Sequence, residues 1–272
     1  MSTLLDTFRI DFMRHALLAG SLAAAMCAYL GVYVVLRRMV FVGVALAEMS
    51  SAGVALALLL GVAPMLGALG LMLVGVALFS VRWTARKVPQ DTFIGIGYAV
   101  AAALGILLIA KSAKGEAHML ELLYGNVLTA APGETLQMLT VFAGVAVLHV
   151  LFGKEFLLAS FDPDWGETIG VRVRLWNVLL YLTIGLAIAF SIRAMGVLLT
   201  FAMLTLPAAG ALVVTGRMRQ ALWVSPLLAI LPIALGLHIS LVGDLPPAAA
   251  AVMLSFLLLV ACAAGERLRR RA

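Results

Sequence analysis

Nine apolar segments, each eighteen to twenty-two residues long, fill most of this chain: 15–36, 40–61, 64–81, 92–110, 136–153, 173–192, 196–215, 220–241 and 246–264. So many segments of membrane-crossing length leave few folds open. A backbone in hydrocarbon must satisfy its own N–H and C=O groups, and about 20 helical residues cross a core of about 30 Å. The predicted class is an all-α polytopic membrane protein of about nine transmembrane helices, or eight if one pair of short segments merges. Composition agrees. Hydrophobic residues make up 64% of the chain, charged residues 12%, and the mean hydropathy is +1.13. Soluble domains carry roughly 25% charge. No polar stretch is long enough for a soluble domain, so residues 1–272 read as one transmembrane domain.

Charge placement predicts orientation. The end "ERLRRRA" carries four arginines, and working back from it the connections on the same side hold Arg217 and Arg219, Lys154, Arg172 and Arg174, Arg82, Arg86 and Lys87, and Arg37 and Arg38. Fourteen of the nineteen basic residues thus fall on one side, which the positive-inside rule assigns to the cytoplasm. The N-terminus is then expected on the periplasmic side and the C-terminus inside. The net charge of +6 is a topology signal and gives no indication of nucleic-acid binding. Cys27 and Cys262 lie in apolar runs without CxxC spacing and read as buried small hydrophobes. The stretch "ALLAGSLAAAMCA" (16–28) imitates a signal-peptide core. Its apolar run continues to Leu36, which makes it a retained helix.

In "LRRMVFVGVALAEMSSAGVAL" (36–56) everything after the arginines is apolar or small except Glu48 and two serines. Ten helical residues put Glu48 roughly 15 Å beyond Arg38, at mid-membrane, where a carboxylate costs roughly 2.5–3.5 kcal/mol. Such residues mark ion pathways. The structural alternative is a carboxylate held by Ser50, Ser51 or a neighbouring helix. His238 and Asp244 lie at the outer end of one segment. Asp244 could receive cations or cap the last helix, and His238 reads as a packed or surface residue. His149, at a helix end, would favour the last carbonyls. Glu116, His118 and Glu121 show no complete ligand set, and Arg193 reads as an interfacial anchor. Pro207, Pro226 and Pro232 should break or kink their helices.

The connection "GKEFLLASFDPDWGETIGVRVRLWN" (153–177) is the longest on the basic side. Asp162 before Pro163 predicts a helix cap with Pro at the first position, and Gly170 can end the short helix that follows. Such an element could dock a protein or serve as a connector. No GxxxxGK[ST], GxSxG or HExxH occurs. The chain therefore has no P-loop of its own, and an intramembrane enzyme is disfavoured.

Several stretches together resemble one family. "GVYVVLRRMVFVGVALAEMSSAGVAL" (31–56), "QDTFIGIGYAVAAALGILLI" (90–109), "LLYGNVL" (122–128), "SFDPDWGETIGVRVRLWN" (160–177), "AMGVLLTFAMLTLPAAGALVV" (194–214) and "DLPPAAAAVML" (244–254) are similar, in this order, to the ABC-3 permeases. These are the membrane subunits of zinc, manganese and iron importers. The resemblance implies the type II, cobalamin-importer-like bundle in the inner membrane, with two copies, a homodimer, sharing an axial pathway. It further implies a cytoplasmic ATPase dimer docking on about 160–172, through Phe161, Asp162, Pro163, Asp164 and Gly170. An extracytoplasmic metal-binding protein would deliver the ion. The chain itself would bind no cofactor: ATP belongs to the partner, and the divalent metal is cargo. Glu48 would line the pathway, with Asp244 and His238 as candidates at the entrance.

Two departures stand out. The family reads G-D-A-x-x-H in its second helix, with Asp and His on one face, and here those positions are Val44 and Glu48. Oxygen ligands favour manganese or iron(II), whereas imidazole suits zinc. The change also leaves room for a chelated metal or a non-metal substrate. After Asp244, "LPPAAAA" replaces the family's Pro-Ser/Thr-Gly-Ala. The rival reading is an ATP-independent secondary transporter or channel with Glu48 as proton or cation carrier. It would need no docking segment and usually shows inverted repeats.

Overall fold

The computed structural model describes residues 11–81, 90–111 and 132–271, which are helical with short connections and without a strand. Ten helices follow: α1 (Asp11–Leu36), α2 (Val40–Leu60), α3 (Pro64–Ser80), α4 (Gln90–Ala110), α5 (Pro132–Leu151), α6 (Gly153–Phe161), α7 (Pro163–Thr168), α8 (Val173–Val214), α9 (Met218–Gly243) and α10 (Pro247–Arg271).

Six of these are long and apolar enough to cross a membrane by themselves, and the bent pair α5–α6 would make a seventh. Every one of the nine apolar segments falls on a helix. Segments 173–192 and 196–215 make up α8, two helical stretches joined directly across a kink. Its one non-helical residue is Gly196, at φ 76°, ψ 169°. Segment 64–81 becomes α3, whose 17 residues rise only roughly 25 Å. The three prolines do not interrupt their helices: Pro207 lies within α8, and Pro226 and Pro232 lie within α9. The break falls instead at a glycine, the residue that reaches this backbone region without a Cβ clash.

The chain divides into two compact units. The first comprises α1, α5 up to Met138, α8 from Phe190 onward, α9 and α10. Its core gathers Val32, Ala208, Ala211 and Ala221, covered by Leu36, Leu212 and Leu228. Lipid supplies no hydrophobic drive between helices, so close packing and interhelical hydrogen bonds must hold them. Gly31 lies directly on the Leu204 carbonyl, and Gly236 on the Ala251 backbone. The buried Ser225 hydroxyl donates to the Ala28 carbonyl at 2.8 Å, and Cys27 Sγ is 3.3 Å from Ser191 Oγ. One such bond contributes about 0.6 kcal/mol in a bilayer.

The second unit comprises α2, α3, α4, α5 from Leu139, α6, α7 and α8 up to Ala189. Here α2 packs against both α3 and α4. Gly61, left-handed at φ 69°, ends α2, and Pro64 opens α3 at its first turn. That tight turn sends α3 back along α2. Gly53 meets Gly67 backbone to backbone, and Ser50 Oγ donates to the Ala68 carbonyl at 3.3 Å. On the α4 side, Gly105 faces Ala52.

Candidate functional site

Packing on two sides leaves an accessible stripe along the first half of α2. Val42, Gly43, Ala45, Leu46, Ala47, Ser50, Ala52, Gly53, Val54, Ala55 and Ala57 are buried. Phe41 is exposed, and Val44, Glu48 and Ser51 are partly accessible. These four recur at intervals of three, four and three residues, which is one helical face. Glu48 and Val44 therefore share the stripe, as their spacing predicts. Among the described residues Glu48 is joined by no hydrogen bond or ion pair. Ser50, its expected structural partner, spends its hydroxyl on Ala68. The structure thus presents a half-buried carboxylate, the one charged residue of α2, on a face that its neighbours leave accessible.

A second polar region lies at the arginine end of the same unit. Arg38 takes the left-handed conformation (φ 57°) between α1 and α2, and Arg37 Nη2 donates to Asn177 Oδ1 at 2.6 Å. A cavity of about 620 Å³ collects Arg37, Arg38 and Arg174 on the positive side and Asp91, Asp164 and Glu167 on the negative. The short helix α7 forms part of its wall. The local prediction for α7 holds. Asp162 accepts the Trp165 N–H at 3.1 Å, Pro163 opens the helix, and Gly170, at φ 83°, turns the chain out of it. Gly166 is buried against Val173 and Leu158, which seats α7 on its neighbours.

Phe161, Asp162, Asp164 and Gly170 of the expected docking segment are exposed and Pro163 is partly so. Asp162 is engaged as the cap, while Pro163, Asp164 and Glu167 line the cavity. The large side chains left in the open are Phe161, Trp165 and Ile169, the latter two 56% and 53% exposed. Trp165, Ile169 and Glu167 escaped the sequence reading. An apolar-polar alternation within six residues was the available signal, but without the cap geometry its direction could not be assigned.

Asp244 does not cap the last helix. It is the C-cap of α9, in the left-handed conformation (φ 50°), with its N–H on the Ser240 carbonyl. Pro246 and Pro247 follow, and Ser240 Oγ donates to the Leu245 carbonyl at 2.6 Å. With α10 starting at Pro247, the Asp244 side chain stands too far upstream to cap it, and it is exposed. It lines a concavity of about 410 Å³ with Met13, Ser240 and the two prolines, and half-buried His238 does not reach it. No trio of His, Cys, Asp and Glu able to hold a metal occurs among the described residues. His149 is likewise placed differently: its Nε2 is 3.1 Å from Thr183 Oγ1 on α8, so it serves another helix more than its own carbonyls. Residues 122–128, the Glu116–His118–Glu121 cluster and Arg82, Arg86 and Lys87 lie outside the described residues.

Comparison with known proteins places this geometry. The sequence model of the ABC 3 transport family matches residues 9–265. The manganese transport system membrane protein MntC of Halalkalibacterium halodurans is 28% identical over 245 residues, covering 90% of this chain and 84% of that protein. The chelated iron transport system membrane protein YfeD of Yersinia pestis is 31% identical over 241 residues, covering 88% and 80%. Among solved structures, PsaBC from Streptococcus pneumoniae in complex with Fab superposes with a TM-score of 0.86 at 25% identity. That match covers 95% of this chain and 94% of the other.

Proposed function

The chain belongs to the ABC 3 transport family, and from that premise we propose that it is the permease subunit of an ATP-driven importer of a divalent transition metal. The open stripe of α2 carries this reading. A carboxylate at about mid-membrane, packed on both flanks and joined by no hydrogen bond or ion pair among the described residues, is placed to meet an ion or a second copy of itself. Relatives named for manganese and for chelated iron fit an oxygen ligand at position 48.

In this reading two copies face each other across a shared pathway and each contributes Glu48. The arginine end lies in the cytoplasm and the N-terminus in the periplasm of the inner membrane. Phe161, Trp165 and Ile169 meet a separate ATPase subunit, with Asp162, Pro163 and Gly170 shaping the helix that presents them. An extracytoplasmic binding protein delivers the ion near Asp244. A site that passes an ion on must also let go of it. One carboxylate per copy, with Val44 where a second ligand could stand, is a weak and therefore releasing site. The rival of a transporter without an ATPase is set aside by the family.

The test is uptake of manganese, iron(II) and zinc by cells producing the permease with its ATPase and binding protein, beside Glu48→Gln. Accumulation of one metal in wild type and its loss in an assembled variant supports the reading. Equal uptake in both removes Glu48 from the pathway, and no uptake of any metal removes the metal.

A further inference from the structure

His149, near the end of α5, is 2% exposed and is used by nothing above. Its ring stacks on Phe156 of α6 with centroids 4.1 Å apart and planes 5° from parallel. Phe156 is fully buried and meets the edge of Trp176 on α8 at 5.2 Å, while Phe152, at the α5–α6 junction, contacts the same indole at 5.0 Å. Thr183 Oγ1 lies 2.9 Å from the Leu180 carbonyl and 3.1 Å from His149 Nε2, so the hydroxyl donating to Leu180 can accept from an Nε2–H. Three helices, with a 74° bend between two of them, are thus tied by a group of rings with His149 and Phe156 buried at its centre, closed by a hydrogen bond.

We propose that His149 is a positioning residue. Through Phe156 and Trp176 it locks the α6–α7 arm to the Trp176–Thr183 stretch of α8, so that a displacement of α7 moves α8 as one body. The physical reason is the directionality of the contacts. Apolar side chains slide past one another at little cost. A stacked ring pair, an edge contact and a hydrogen bond fix tilt, rotation and translation together. Junctions that are not joined in this way bend when pushed, and the displacement is absorbed locally. The inference rests on the reading of α7 as the ATPase-docking element, and it adds the route by which docking reaches a long helix.

The experiment uses the full permease in lipid nanodiscs with its ATPase and binding protein, in a background of Cys27→Ser and Cys262→Ser. Spin labels are placed at Thr168→Cys on α7 and Leu186→Cys on α8, and the distance distribution is read alongside metal moved per ATP hydrolysed. In His149→Leu and Trp176→Leu the distribution should broaden, and metal per ATP should fall about ten-fold while hydrolysis stays within about two-fold. Trp176→Phe keeps an aromatic edge and should restore both. An unbroadened distribution in both leucine variants overturns the linkage, as does a parallel loss of hydrolysis and transport. If wild type moves no metal, the substrate reading fails and the distances alone decide the linkage.

Discussion

Gly53 and Gly67 face each other so closely that a Cβ built on either would overlap the other's carbonyl oxygen. The contact fixes α3 against α2 little more than one turn beyond Glu48. Ala at position 53 would gain about 1 kcal/mol of helix propensity. Against this, the obstacle is backbone and cannot swing aside, and overpacking typically costs 1–3 kcal/mol. Gly53→Ala should therefore lower the melting temperature of the detergent-solubilised permease. A rise would show that α3 gives way easily.

In the proposed pathway, position 48 sets ligand chemistry. Glu48→His replaces a hard oxygen by imidazole, which suits zinc. Competitive uptake with mixed metals should move towards zinc and away from manganese. An unchanged order of preference would locate selectivity elsewhere.

Trp165 holds nothing together: its indole is largely open, and its backbone N–H, which Asp162 caps, survives substitution. Trp165→Ala should leave the permease folded and remove most of the co-purifying ATPase, an interface loss of about 2 kcal/mol or more. Asp162→Ala should weaken the same association by a different route, because losing the cap costs the short helix about 1 kcal/mol. Equal ATPase recovery from both variants and wild type would move the docking surface off α7.

Gly196 interrupts α8 in a backbone region that is almost exclusive to glycine. Gly196→Ala should cost about 1–3 kcal/mol. The break should then either persist with a lower melting temperature or straighten with loss of transport. A variant equal to wild type in both measurements would make the break dispensable.

Features governed by residues close in the chain could be read in advance. Asp162-Pro163 and Gly170 announced the short helix between them, because a cap, a fixed φ and a left-handed turn are local properties. The apolar segments and the facing of Val44 with Glu48 followed from length and period. Features set by distant partners could not be read. Asp244 looked like a cap for the helix ahead and closes the one behind, since the two prolines displaced the next helix start. His149 looked terminal until Thr183, thirty-four residues on, took its Nε2. Nothing local in "AMGVLL" said that the break between the two segments would be a kink at Gly196, or that the three prolines would lie inside helices.

The proposed pathway along α2 has an evolutionary consequence. In a pathway shared by two identical copies, every codon change at 44 or 48 is made twice and on both sides of the ion. Replacing Val44 by a ligand would not add one donor but two, and changing Glu48 would exchange the whole first set at once. Metal preference in such a permease can therefore shift by single steps, with no intermediate in which the two halves of the site disagree.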